Sequence, residues 1–155
     1  FVIYGKMVDE VLWMKREQFL EQAMFASWSI SLIATAGSLF FSEVLKYIPC
    51  ELCWYQRIFM YPLVILLGVA SAKKDSRMAL YGLILSVVGG LISLYHYLIQ
   101  KIPFLQDLGE ACGIIPCNTA YINWFGFITI PFLALVAFTL IAILQFLILK
   151  NAKEN

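Results

Sequence analysis

Charge is what this sequence has least of. Asp, Glu, Lys and Arg supply 14% of the 155 residues, against 62% hydrophobic. A soluble domain carries about 25% charged residues, so this chain could not cover an aqueous surface, and the composition points to an integral membrane protein. An excess of one sign is also missing. A net charge of +1 leaves no broad basic face, so nucleic acid is not expected as a partner. No small-residue cleavage site follows the first apolar run, so a cleavable leader is not expected either. Histidine occurs once, at His96, and cysteine four times, at Cys50, Cys53, Cys112 and Cys117.

What is abundant is apolar sequence in long runs. Four are evident, at about Met24–Leu45, Leu52–Ala72, Met78–Ile99 and Ile122–Leu149. Each reaches the roughly 20 residues needed to cross the hydrocarbon core of a bilayer. Lipid offers no partner to an open strand, so helix is the required state. The fold expected is therefore all-α, a four-transmembrane-helix bundle over residues 23–155. Pro62 and Pro131 are expected to kink their helices. Residues 1–22 read differently. Val8, Val11, Leu12 and Phe19 recur at helical spacing among charged residues, as in an interfacial helix or an extension ahead of Met14.

Lysine and arginine set the expected orientation. Lys6, Lys15, Arg16, Lys73, Lys74, Arg77, Lys150 and Lys153 fall on one side, and Lys46, Arg57 and Lys101 on the other. By the positive-inside rule both termini are cytoplasmic. The loops near 46–52 and 100–121 then face outward, and they hold all four cysteines. The outer compartment is where disulfides persist, so the pattern reads as two outward-facing redox pairs.

The stretch Cys50-Glu51-Leu52-Cys53-Trp54-Tyr55-Gln56-Arg57 concentrates the chemistry. A Cys-x-x-Cys pair at a helix start suits a reversible disulfide, because the helix's positive end favours a thiolate. Arg57, one turn after Cys53, adds a charge that cannot be lost to deprotonation. It is the one arginine or lysine inside an apolar run, which marks a functional group or a side chain snorkelling to the headgroups. His96 falls at a similar depth, either as an interhelical contact or, with Arg57, as a bracket for the carbonyl oxygens of a lipid-soluble quinone. Cys112 and Cys117 enclose Gly113 and Pro116, turn formers that would bring the thiols together. The pair is exchangeable or a static staple. Zinc pairs usually show two-residue spacing, so no metal is expected.

These residues resemble a known family. Ile48 to Arg57 reads Ile-Pro-Cys-Glu-Leu-Cys-Trp-Tyr-Gln-Arg, like the short Gram-positive, BdbC-like branch of the bacterial DsbB disulfide-bond-formation proteins. The run Tyr121 to Pro131 resembles that branch too, and the likeness covers the chain from about Lys15. It implies a multi-pass protein of the bacterial cell membrane that reoxidises an extracytoplasmic, DsbA-like thioredoxin-fold protein. Electrons would pass to a membrane quinone, menaquinone or ubiquinone, and so to the respiratory chain. The resemblance implies that Cys112 is attacked by the partner and that Cys117 exchanges with Cys50. Cys53 would engage the quinone, with Arg57 polarising it and His96 as a second donor. The longer family members space their second-loop cysteines more widely. Two other readings stay open. One is a vitamin K epoxide reductase-like enzyme, whose Cys-x-x-Cys precedes the last span rather than the second. The other is a membrane assembly protein with structural disulfides.

Overall fold

Without water to satisfy backbone groups, the apolar runs close their hydrogen bonds internally, and the computed structural model shows the result. It describes residues 2–110, 114–118 and 120–153. Helix α1 spans Val2–Leu39 and ends in a π-helical turn, Phe40–Val44. Helix α2 spans Glu51–Lys73, α3 Ala79–Lys101, α4 Pro103–Glu110 and α5 Ile130–Lys153. The four long helices are each apolar and long enough to cross a membrane. At ~1.5 Å per residue, α1 outruns the hydrocarbon core, and its residues 2–15 are exposed throughout.

The long helices form a ring in which α1 packs on α2 and α5, and α3 packs on the same two. Two ends result. A terminal end carries the start of α1 and the end of α5. A thiol end carries the start of α2, the end of α3 and the loops around them. Between helices in lipid, close packing drives association and small residues permit it. The buried face of α3 follows that rule, with Ala79, Gly82, Ser86, Gly89 and Ser93 in succession and then His96 and Ile99. Phe138 of α5 fills the space Gly89 leaves, where a Cβ would stand 2.4 Å from the Phe138 ring. Leu63, Leu67, Ile141 and Ile148 complete this core. His96 thus ends a stripe of small residues, at the level where the packing turns polar.

Two local expectations are corrected. The fourth apolar run starts at Ile122, but α5 starts only at Ile130. Residues 124–128 instead make a tight turn closed by Trp124 N to Ile128 O at 3.0 Å and Ile128 N to Trp124 O at 2.9 Å. Phe125 and Gly126 take positive φ values of 54° and 80°, which a helix does not accommodate. Lys101 Nζ donates to Asn123 Oδ1 at 3.1 Å and Gly126 O at 2.6 Å, fixing the turn to the end of α3. Pro131 consequently lies in the first turn of α5, where its missing N–H deprives no carbonyl and no kink follows. Pro62 does lie inside α2, and the helix continues past it to Lys73.

Candidate active site at the thiol end

Cys50 is where the chain turns into α2. Its backbone is extended (φ −74°, ψ 173°), and its carbonyl accepts from Trp54 N at 3.1 Å. Cys53 is thereby carried one turn into the helix. The Cys50 thiol donates to Cys53 Sγ across 3.4 Å, the geometry of a reduced pair. The Cys50 thiol is pushed up to about 12, first by this hydrogen bond and then by burial, with His96 opposing. A group that donates from its neutral form keeps its proton longer. Cys50 is therefore the proton-holding sulfur, and Cys53 the accepting one.

The helical period sets the next residues. Cys53, Arg57 and Tyr61 follow at four-residue steps along one face of α2. All three line a cavity of about 450 Å³ opening between α1, α2 and α5. Arg57 is tied to α1. Its Nε donates to Ser38 Oγ at 3.0 Å and its Nη2 to Ser38 O at 3.1 Å. Its guanidinium also sits 5.4 Å from the Trp54 ring, within cation–π range. Ser38 lies just ahead of the π turn of α1, and such turns recur at functional sites. The Tyr61 hydroxyl is buried without a hydrogen-bond partner, a costly arrangement unless something else supplies one. Tyr47 and Tyr121, from the two cysteine-bearing loops, stack at 4.9 Å and 9° beside this cavity.

His96 is buried beside Cys50 and lines the same cavity. Its Nε2 lies 3.1 Å from the Cys117 carbonyl and 3.6 Å from Cys50 Sγ. Its Nδ1 lies 2.9 Å from the Gln56 carboxamide nitrogen. A carbonyl only accepts, so Nε2 carries the hydrogen, and in the neutral ring Nδ1 must then accept from Gln56. The carbonyl of Cys117 also receives Gln100 Nε2 at 3.4 Å. These bonds hold the second loop so that Cys50 Sγ, a His96 ring nitrogen and Cys117 Sγ all lie within 4.8 Å of one another.

The structure thus brings together Cys50, Cys53, Arg57, His96 and Cys117. Cys112 lies outside the described residues. Four contributors escaped the sequence reading: Gln56, Gln100, Tyr61 and Ser38. Gln56 and Tyr61 had a usable signal, being polar groups in an apolar run at helical spacing from Cys53 and Arg57. Ser38 had none, because a serine in a membrane helix commonly satisfies itself on its own backbone.

Known proteins resemble the chain over most of its length. A family model described as "Disulfide bond formation protein DsbB" matches residues 21–148. A probable disulfide formation protein C 1 of Bacillus anthracis is 56% identical over 138 residues, 89% of this chain and 99% of that protein. The disulfide bond formation protein C of Bacillus subtilis is 54% identical over 132 residues, 85% of this chain and 95% of its own. A probable disulfide formation protein C 2 of Bacillus cereus is 41% identical over 122 residues, 78% and 86% of the two chains. No solved structure matches. With four membrane-crossing helices built around these cysteines, the chain belongs to the DsbB family of disulfide bond formation proteins, membrane-bound thiol–disulfide oxidoreductases.

Proposed function

We propose that this protein reoxidises an extracytoplasmic thioredoxin-fold dithiol protein of the DsbA type and passes the electrons to a membrane quinone. One observation carries the reading. The sulfur of Cys117 sits beside Cys50, and Cys50 and its neighbour Cys53 both line an apolar cavity.

The exchange steps balance as follows. With both pairs oxidised, a partner thiolate attacks Cys112, forms a mixed disulfide and releases the Cys117 thiolate. Cys117 attacks Cys50, breaks the Cys50–Cys53 bond and releases the Cys53 thiolate. The partner's second thiol resolves its mixed disulfide and leaves oxidised, releasing Cys112. Cys112 then displaces Cys50 from Cys117 and restores the outer disulfide. The net result is one partner disulfide formed and one Cys50–Cys53 pair reduced. Exchange of this kind needs sulfurs in reach and a leaving thiolate that is stabilised. His96 serves the first requirement by holding the Cys117 backbone against Cys50. Arg57, one turn below Cys53, serves the second.

The cavity fits a quinone. Its volume of about 450 Å³ lies within the ~300–1,000 Å³ of ligand sites. Arg57 and the unpartnered Tyr61 hydroxyl are donors suited to two carbonyl oxygens. When bound, the quinone supplies an acceptor for two electrons and two protons for each Cys50–Cys53 disulfide remade. Arg57 holds a fixed positive charge near that exchange, Tyr61 donates a hydrogen bond, and the apolar walls exclude water. The charge asymmetry supports a thiol end that faces out of the cytoplasm, toward the partner.

The test is anaerobic oxidation of a reduced thioredoxin-fold dithiol protein by the purified enzyme with added quinone. The expected result is one partner disulfide per quinone reduced. Equal oxidation without quinone, or quinone loss with no partner disulfide, would falsify the reading.

A further inference from the structure

We propose that His96 is a catalytic residue of the exchange itself: its Nε2–H donates to the Cys50 sulfur as that sulfur leaves a disulfide, with Gln56 positioning the ring. The inference rests on the relay set out above and adds a role to it, since there His96 only holds the Cys117 backbone.

The relay asks two different sulfurs to leave as thiolates. Cys53 leaves when Cys117 attacks Cys50, and it has Arg57 one turn along the same helix face. Cys50 leaves when Cys112 displaces it from Cys117, and its setting is poorer. It is buried, and its neighbour at 3.4 Å, Cys53, has just been released with a negative charge. Burial and a like charge both disfavour a thiolate. The Cys50 thiol is pushed up to about 12, first by its hydrogen bond to Cys53 and then by burial, and His96 is the group that opposes them. A sulfur this basic leaves slowly, so the step needs a donor aimed at it.

The geometry supplies one. His96 Nε2 stands 3.6 Å from Cys50 Sγ and 3.1 Å from the Cys117 carbonyl, so a single hydrogen faces two acceptors. As charge develops on Cys50, the charge-assisted bond becomes roughly twice as strong as a neutral one, and the hydrogen turns to the sulfur. Gln56 is buried, and its carboxamide nitrogen meets Nδ1 at 2.9 Å. That bond makes Nδ1 the acceptor and keeps the ring's one hydrogen on Nε2. In the step itself the Cys112–Cys117 bond forms, the Cys50–Cys117 bond breaks, and its electron pair stays on Cys50. His96 gives a hydrogen bond and retains its proton. The proton that Cys50 later carries is one of the two that the partner's dithiol gave up on oxidation.

The test needs neither quinone nor partner, so its failure and that of the relay are distinguishable. In the full chain, Cys53→Ala, Cys112→Ser and Cys117→Ser leave Cys50 as the lone thiol and keep the backbone carbonyl at position 117. Cys50 then titrates lower, its largest upward influence being gone. The ionisable groups left in its cavity are His96 of α3, Arg57 and Tyr61 of α2, and the loop residues Tyr47 and Tyr121, while α1 and α5 line it with none among the described residues. The readout is the pH midpoint of Cys50 alkylation by iodoacetamide. His96→Leu should raise it by about one to two pH units, the worth of a hydrogen bond to a charged group. His96→Gln, whose carboxamide sets an N–H near the Nε2 position, should recover much of that shift, as a ring needed only for packing would not allow. The chain has one histidine, so ¹⁵N-labelled histidine reports the ring without any change at position 96. Its spectrum should show hydrogen on Nε2, with a resonance that moves at the Cys50 midpoint. Gln56→Leu should add resonances of the Nδ1–H tautomer, and an unchanged spectrum there overturns the role of Gln56. Hydrogen on Nδ1 in the parent protein, or a histidine resonance indifferent to Cys50, overturns the proposal. A midpoint unmoved in folded His96→Leu does so equally.

Discussion

The two ends of the bundle hold their polar groups in opposite ways. At the terminal end, Lys74 pairs with Glu21 at 2.8 Å with both side chains open to solvent. At the thiol end, His96 is 1% exposed, Gln56 6% and Cys117 0%, and each bond runs between elements that would otherwise part. An exposed pair gains little, because water serves both partners almost as well. A buried polar cluster is costly to leave incomplete. The first kind of contact trims a surface, whereas the second fixes one arrangement of helices and a loop. Cys50 and Cys117 sit among contacts of the second kind.

The sharpest break of this contrast is at the sulfur facing the cavity. Cys53→Ser should reduce quinone-dependent turnover to background while Cys112 still captures the partner as a mixed disulfide on non-reducing gels. Next comes the buried amide. Gln56→Leu strands His96 Nδ1 and should lower stability by about 1–3 kcal/mol, read as a fall in the melting temperature of the detergent-solubilised protein. Arg57→His removes a permanent charge and its two bonds to Ser38. The Michaelis constant for quinone should rise about tenfold or more, the cost of a charge-assisted hydrogen bond, in steady-state assays with partner in excess. Tyr61→Phe deletes a single neutral donor and should raise the same constant about fivefold with the melting temperature unchanged. Smallest of all, Glu21→Gln at the terminal end should leave both stability and turnover indistinguishable from wild type. A drop there as large as that of Gln56→Leu would erase the distinction between the ends.

Much of this architecture was legible in the sequence, and the parts that were not share a cause. Four spans follow from hydropathy because lipid permits few other solutions. Cys50, Cys53 and Arg57 were legible together because they lie within eight residues and helical geometry is local. The Ile122–Thr129 segment misled, since Trp124, Phe125 and Phe127 are as apolar as a helix interior. Only the positive φ values of Phe125 and Gly126 distinguish turn from span. The Gln56–His96 bond depends on how α2 and α3 are rotated against each other, which no spacing within one helix encodes. Ser38 reaches Arg57 through the packing of α1 on α2, again a tertiary fact.

The stacked rings of Tyr47 and Tyr121 join the two loops that carry the sulfurs, beside the cavity that Cys53 and Arg57 line. A bulky hydrophobic guest that parted these rings would loosen the tether between the loops. Occupancy of the cavity and spacing of the sulfurs would then be mechanically linked.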